Sequence, residues 1–177
     1  MQTTQTLPAE NALLARDIAV QNLRAEHAVT RRVIEAIPVD KGAYTPDAVT
    51  KSAVDLAWHI VAAEHRFLNA VVSGGFDFTN TGRPADVATS ADISRWYAGV
   101  FDQDMRELAA LSADQLSKPI DFRGIVTLPA VSFLLVGLKH SIHHRGQLSM
   151  YLRPMGAKVP SIYGESYDSA LAKKALA

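Results

Sequence analysis

The sequence contains no cysteine. Disulfides and thiolate ligands are therefore excluded, and any metal must be held by histidine, aspartate, glutamate or water. It has no excess charge of either sign: 18 basic residues balance 18 acidic ones, for a formal net charge of zero at pH 7. A duplex-DNA binder normally presents a basic face, so nucleic acid is not an expected partner. Long apolar runs are also missing. The longest, Ala130 to Leu138, is interrupted by Ser132 and Gly137 and falls far short of the roughly 20 residues a membrane span needs. Met1 to Ala9 is polar and lacks a basic region followed by an apolar run, so no secretory signal is expected. A soluble cytoplasmic protein without membrane contact is the default expectation. Internal repeats and low-complexity segments are lacking too.

What is present suits one domain, residues 1–177, with a proper core: apolar residues make up 48% and charged residues 20%. Pro8 to Ile37 is almost free of helix breakers. Ala25, Val29, Val33 and Ile37 form a stripe at helical spacing, widened by Leu13, Val20 and Leu23, and Pro38 should stop the helix. A second helix is predicted from about Lys51 to Val72, ended by Gly74-Gly75. A loop rich in glycine, with Asn80 and Pro84, leads to a third helix from about Ser90 to Leu111, where Ser90-Ala91-Asp92 suits a cap. Ile120 to Val126 alternates and suits an extended segment or hairpin. The fourth helix is expected to begin near Pro129, with Thr127 before it, and to stop at Pro154. Its core candidates are Val131, Leu134, Leu135, Leu138, Ile142 and Leu152. Asp168 to Leu176 suits a short terminal helix. The expected fold is all-α, a four-helix bundle with a short irregular or hairpin segment before the last long helix.

Three of the six histidines lie in the fourth helix. His140 and His144 are four apart, so their side chains leave one face one turn apart and can converge on one ion. Zinc proteases share this spacing but need a glutamate after the first histidine. Ser141 stands there instead, so that motif is excluded. Spacing leaves two readings open: a metal pair, or histidines packed and hydrogen-bonded in the core. A third ligand would come from another helix. His59 is the best placed, near the middle of its helix and sharing a face with Ala62, Ala63, Arg66 and Ala70. His65 is six residues away and points elsewhere. Gln147 and Tyr151 continue the face of His140 and His144 and are the candidate catalytic or ligand-binding polar groups. His143 falls off that face, as a support for a ligand or as surface. Arg145 is expected against another helix or a subunit boundary, where a carboxylate could pair with it. Gly146 suits a close helix contact. Glu64 does not share the His59 face closely, and His27 reads as a packed or surface histidine.

The run His140-Ser-Ile-His-His144-Arg-Gly-Gln147-Leu148, followed by Met150-Tyr-Leu-Arg-Pro-Met-Gly156, resembles the C-terminal signature of the DinB-like (damage-inducible) metalloproteins. Leu56-Ala-Trp-His59-Ile-Val-Ala-Ala-Glu64-His-Arg-Phe-Leu68 looks like that family's second-helix motif, and Val159-Pro-Ser-Ile-Tyr-Gly-Glu165 like its tail. The resemblance covers most of the chain. It implies a four-helix bundle with a divalent metal on His59, His140 and His144, and water or substrate at the remaining positions. It also implies a homodimer, and related families include transferases and isomerases that use low-molecular-weight thiols. DNA binding is not implied. Imidazole-only ligation suits zinc, nickel, iron or copper. Two functions follow as expectations: a metal-dependent thiol transferase or related small-molecule enzyme, with a hydrolase less favoured, or a non-catalytic metal-binding stress-response or sensing protein.

Overall fold

The computed structural model describes residues 7–79 and 81–176. Of the segments read above, residues 1–6 of the polar N-terminal stretch and Asn80 of the glycine-rich loop lie outside the described residues. Four long helices dominate: α1 (Ala9–Glu35), α2 (Ala53–Ser73), α3 (Ser90–Ala109) and α5 (Ser132–Leu152). Between α3 and α5 come a short helix, α4 (Ala113–Ser117), and two strands, β1 (Pro119–Phe122) and β2 (Val126–Pro129). The last element is α6 (Tyr167–Lys174). Around the bundle, α5 packs on α2, α2 on α3, α3 on α1, and α1 on α5. The expected all-α four-helix bundle, with a hairpin before its last long helix, is what forms.

Each long helix buries one face. On α1 the buried positions are Ala12, Ala19, Leu23, Thr30, Val33 and Ile34, related by spacings of three, four and seven, and Ile37 is buried just past its end. Ala25, assigned to the buried stripe from spacing alone, is exposed. The packed stripe drifts around so long a helix, and Leu23 and Thr30 mark its course on either side of Ala25. The end of α2 is set by Gly74, whose φ of 79° is a left-handed cap that a side chain would strain. At the start of α3, Thr89 rather than Ser90 is the cap. Its hydroxyl accepts from the Asp92 amide, and the Asp92 carboxylate accepts from the Thr89 amide.

The start of the fourth long helix differs from the sequence expectation. Pro129 and Thr127 belong to β2, and Pro129 pairs in register with Pro119. The pairing continues past the strands: the Ala130 amide donates to the Lys118 carbonyl and the Val131 amide to the Leu116 carbonyl, both at 2.9 Å. Those bonds tie the chain to the residues before β1 as far as Val131, which already has helical geometry, and α5 begins at Ser132. Leu135, expected in the core, is 48% exposed. One α5 residue approaches α2 unusually closely. A Cβ on Gly137 would stand 2.8 Å from the Cβ of Phe67, so hydrogen alone fits there. Gly146, expected to make such a contact, has nothing within 4 Å of that position.

Candidate metal centre

The close approach at Gly137 lies one turn before His140 and brings the histidines of α5 against α2. His59, His140 and His144 form one cluster, with a ligand-capable atom from each all lying within 4.8 Å of one another. Their ring centroids are 4.9 Å (His59–His140), 4.6 Å (His59–His144) and 4.4 Å (His140–His144) apart. The Nε2 atoms of His59 and His144 are 3.2 Å apart. Two nitrogens at 2.0–2.1 Å from a tetrahedral ion stand roughly 3.3 Å apart, so this pair already has that separation.

The electrostatics keep the rings of His59 and His140 neutral. Burial, then the neighbouring His144, then Lys51 and Arg66, lower the His59 pKa to about 4. For His140 burial is again the main cause, followed by His144, His59 and His143, and the value is again about 4. Neutral imidazole is the form that ligates. The buried Nδ1 of His140 has no hydrogen-bond partner.

Gln147 shapes the cluster from one side. Its Oε1 accepts from the Nδ1 of His144 at 2.7 Å. A proton held at Nδ1 leaves Nε2 bare, toward His59. The Gln147 amide nitrogen lies 3.3 Å from the Nε2 of the exposed His143. His143 therefore supports the cluster through Gln147 and takes no place in it. Gln147 and Tyr151 line a cavity of about 510 Å³ with His59 and His144. On the opposite side His59 and His140 border a second cavity, of about 360 Å³, walled by Phe67, Phe76, Phe78 and Phe122.

The other singled-out residues have separate places. The Nδ1 of His65 bonds to the Asp104 carboxylate of α3 at 2.8 Å, away from the cluster. His27 is packed, stacked on Phe101 with ring centroids 3.9 Å apart. Arg145 is 1% exposed and faces α1, where it pairs with Glu26, and its other nitrogen donates to the Tyr163 hydroxyl at 2.6 Å.

Two buried acids carry more structure than the sequence suggested. Glu64 is 1% exposed and accepts from the Tyr97 hydroxyl. Burial pushes it up to about 7, against the opposing pull of Ser141 and Tyr97. The Ser141 hydroxyl is close enough to act on Glu64 but completes no hydrogen bond of normal geometry. Asp104, the partner of His65, is also 1% exposed. A carboxylate inside an apolar helical stripe is a signal for such burial, and Glu64 among Ile60, Val61, Phe67 and Leu68 carries it.

The model of the DinB family matches residues 10–174. The chain belongs to the DinB family. The uncharacterized protein YjoA of Bacillus subtilis (strain 168) is 27% identical over 140 residues, 77% of this chain and 88% of that protein. The uncharacterized protein YrdA of the same strain is 33% identical over 117 residues, 64% of this chain and 66% of that one. The crystal structure of YjoA, a DinB-like protein, superposes with a TM-score of 0.69 at 26% identity, covering 84% of this chain and 99% of that one. A DinB-like protein from Bacillus cereus ATCC 10987 shares the fold, with a TM-score of 0.68 at 22% identity over 82% of this chain and 95% of that one. The DinB resemblance carried by the two histidine motifs and the tail is thus borne out, as is the helical fold it implied. Among the described residues no helix is long and apolar enough to cross a membrane.

Proposed function

We propose that His59, His140 and His144 hold one divalent transition metal ion (zinc, nickel or iron) and that this centre carries a small-molecule reaction using a low-molecular-weight thiol. The observation behind it is the convergence of three imidazoles from two helices. The fit is supported by the 3.2 Å spacing of the two Nε2 atoms and by the buried His140 Nδ1, which no protein group satisfies. When bound, such an ion with three protein ligands keeps open positions and lowers the pKa of a thiol or water placed there.

The chain's own groups supply orientation and shelter. Gln147 fixes the proton of His144 on Nδ1. Tyr151, in the wall of the same cavity, presents a hydroxyl that can donate to or accept from a ligand. On the other side the four phenylalanines form an apolar wall that limits water around His140.

A second reading, a non-catalytic metal-binding or sensing protein, is favoured by one observation. Among the described residues no carboxylate joins the three histidines, so no general base stands in the cluster. The same point disfavours a hydrolase. Protein loaded with cobalt(II) as a spectroscopic probe and titrated with small thiols separates the readings. A sulfur-to-metal charge-transfer band, followed by turnover of an electrophile, supports the thiol reaction. Metal uptake without that band or turnover leaves the sensing reading. No uptake of any divalent metal removes both.

A further inference from the structure

Beside the metal centre, along α2, lies a groove that the three histidines do not explain. One part of it, about 440 Å³, is bordered by Trp58, His65, Arg66, Asp77, Arg83 and Trp96. The adjoining part, about 500 Å³, shares Trp58, Arg66 and Arg83 and reaches His59, Lys51 and Asp55. Arg66 also borders the phenylalanine-walled cavity next to His59 and His140. Arg66 therefore borders both the groove and the cavity shared by His59 and His140.

Arg66 is half-buried, and among the described residues no carboxylate pairs with it. Its guanidinium lies 5.7 Å from the centre of the Phe78 ring. The nearby Asp77 carboxylate is engaged elsewhere: it accepts from the Thr79 amide at 2.8 Å and the Thr79 hydroxyl at 2.7 Å. Arg83 is tied to Asp55 at 3.1 Å. The groove walls thus carry three cations (Lys51, Arg66, Arg83) against two carboxylates (Asp55, Asp77), leaving one positive charge. Asp77 acts on Arg66 through space but makes no ion pair with it, so the planar guanidinium fork stays open to a carboxylate ligand.

The floor is aromatic. The rings of Trp58 and Trp96 are 4.7 Å apart, and that of His65 is 5.6 Å from Trp96. His65 is held by the buried Asp104 through Nδ1, so Nε2 is the nitrogen it can offer to the groove it lines.

We propose that this groove binds a small, singly charged carboxylate with a flat apolar body, the carboxylate on Arg66 and the body on Trp58 and Trp96. The proposal rests on the metal-centre reading for one point alone, that the ligand's far end faces His59. Binding itself needs no metal.

The chain has two tryptophans, and both lie in the groove, so intrinsic fluorescence reports on it directly. The probes are benzoate, its neutral analogue benzamide, and phenyl phosphate as a dianion. Saturable quenching by benzoate, with benzamide and phenyl phosphate weaker, is the expected result. Arg66→Gln should weaken benzoate by about 10-fold or more, and Arg66→Lys, which keeps the charge without the fork, by less. Circular dichroism establishes that each variant is folded, and the lysine variant serves alone where the glutamine variant is not. Equal response to benzoate and benzamide, tighter binding of phenyl phosphate, unchanged affinity in a folded Arg66 variant, or no saturable response overturns the proposal. His144→Ala separates the two readings. Its failure to lose metal counts against the metal centre, whereas loss of benzoate binding in that variant counts against an independent anion site.

Discussion

The Nε2 atoms of His59 and His144 face one another at 3.2 Å across the seam between α2 and α5. With the His144 proton kept on Nδ1 by Gln147, the bare Nε2 of His144 can accept from His59 Nε2 or turn to an ion. Gln147→Leu should therefore weaken metal binding by roughly 10–100-fold without removing it. His140→Ala and His144→Ala should abolish stoichiometric uptake while the helices persist. Metal analysis after chelation and reloading, paired with circular dichroism, checks both; full occupancy in either alanine variant contradicts the ligand assignment.

Gly137 and Gly146 sit on the same helix and should respond oppositely to alanine. At Gly137 the new methyl would meet the Cβ of Phe67 at 2.8 Å, and neither backbone yields easily. Overpacking of this kind costs about 1–3 kcal/mol, more than the roughly 1 kcal/mol that helix propensity returns. Gly137→Ala should lower Tm and, by parting His59 from His140, metal affinity as well. Gly146 is exposed with nothing within 4 Å of an added methyl, so Gly146→Ala should raise stability by up to about 1 kcal/mol. Thermal melts of the two variants decide this.

Acid should destabilise the metal-free protein through its buried histidines. The pKa of His27 is lowered to about 4, chiefly by burial and then by Arg31, against 6.5 for a free histidine. A depressed histidine contributes stability that is fully present above pH 6.5 and is lost as pH falls toward 4. His27→Phe should flatten that limb, by about 1–2 kcal/mol once solvent screening of the partly open ring is allowed for. Glu64 has the opposite sign. Raised from 4.5 to about 7, it contributes stability that is full below pH 4.5 and lost as pH rises through 7. Glu64→Gln should therefore gain on the wild type above pH 7, by about 3 kcal/mol. Urea titrations from pH 4 to pH 8 measure both; a wild-type slope retained by His27→Phe contradicts the assignment.

Arg145 and Glu26 join α5 to α1 as an ion pair with side-chain exposures of 2% and 16%. Removing one partner strands the other. Arg145→Met should destabilise by about 3 kcal/mol, and the double variant Arg145→Met with Glu26→Leu should recover most of that loss. Chemical unfolding of the two variants is the measure. Equal stability of the single and double variants would mean that the stranded Glu26 carboxylate is not the source of the loss.

The helical architecture was legible in the linear pattern. Apolar residues at three and four, Pro38 and Pro154 as stops, and Gly74 as a cap are local properties of the chain, and local geometry obeys them. The pairing of His140 with His144 was equally local, because four residues make about one helical turn. The start of α5 was not, because Pro129 suits a strand end as well as a helix start, and the bonds from Ala130 and Val131 to the chain before β1 decided it.

What the sequence determined by itself was the four long helices and the terminal one, a balanced charge, histidine as the nitrogen ligand in the absence of cysteine, and a family signature. The tertiary structure decided which distant groups meet: His59 with His144, His65 with Asp104, Glu64 with Tyr97, and Arg145 with Glu26. These pairs lie 33 to 119 residues apart. Helical periodicity places a side chain on a face, but close packing selects the face it meets, and here the selection turned on hydrogen at Gly137 fitting against Phe67 where a methyl group does not.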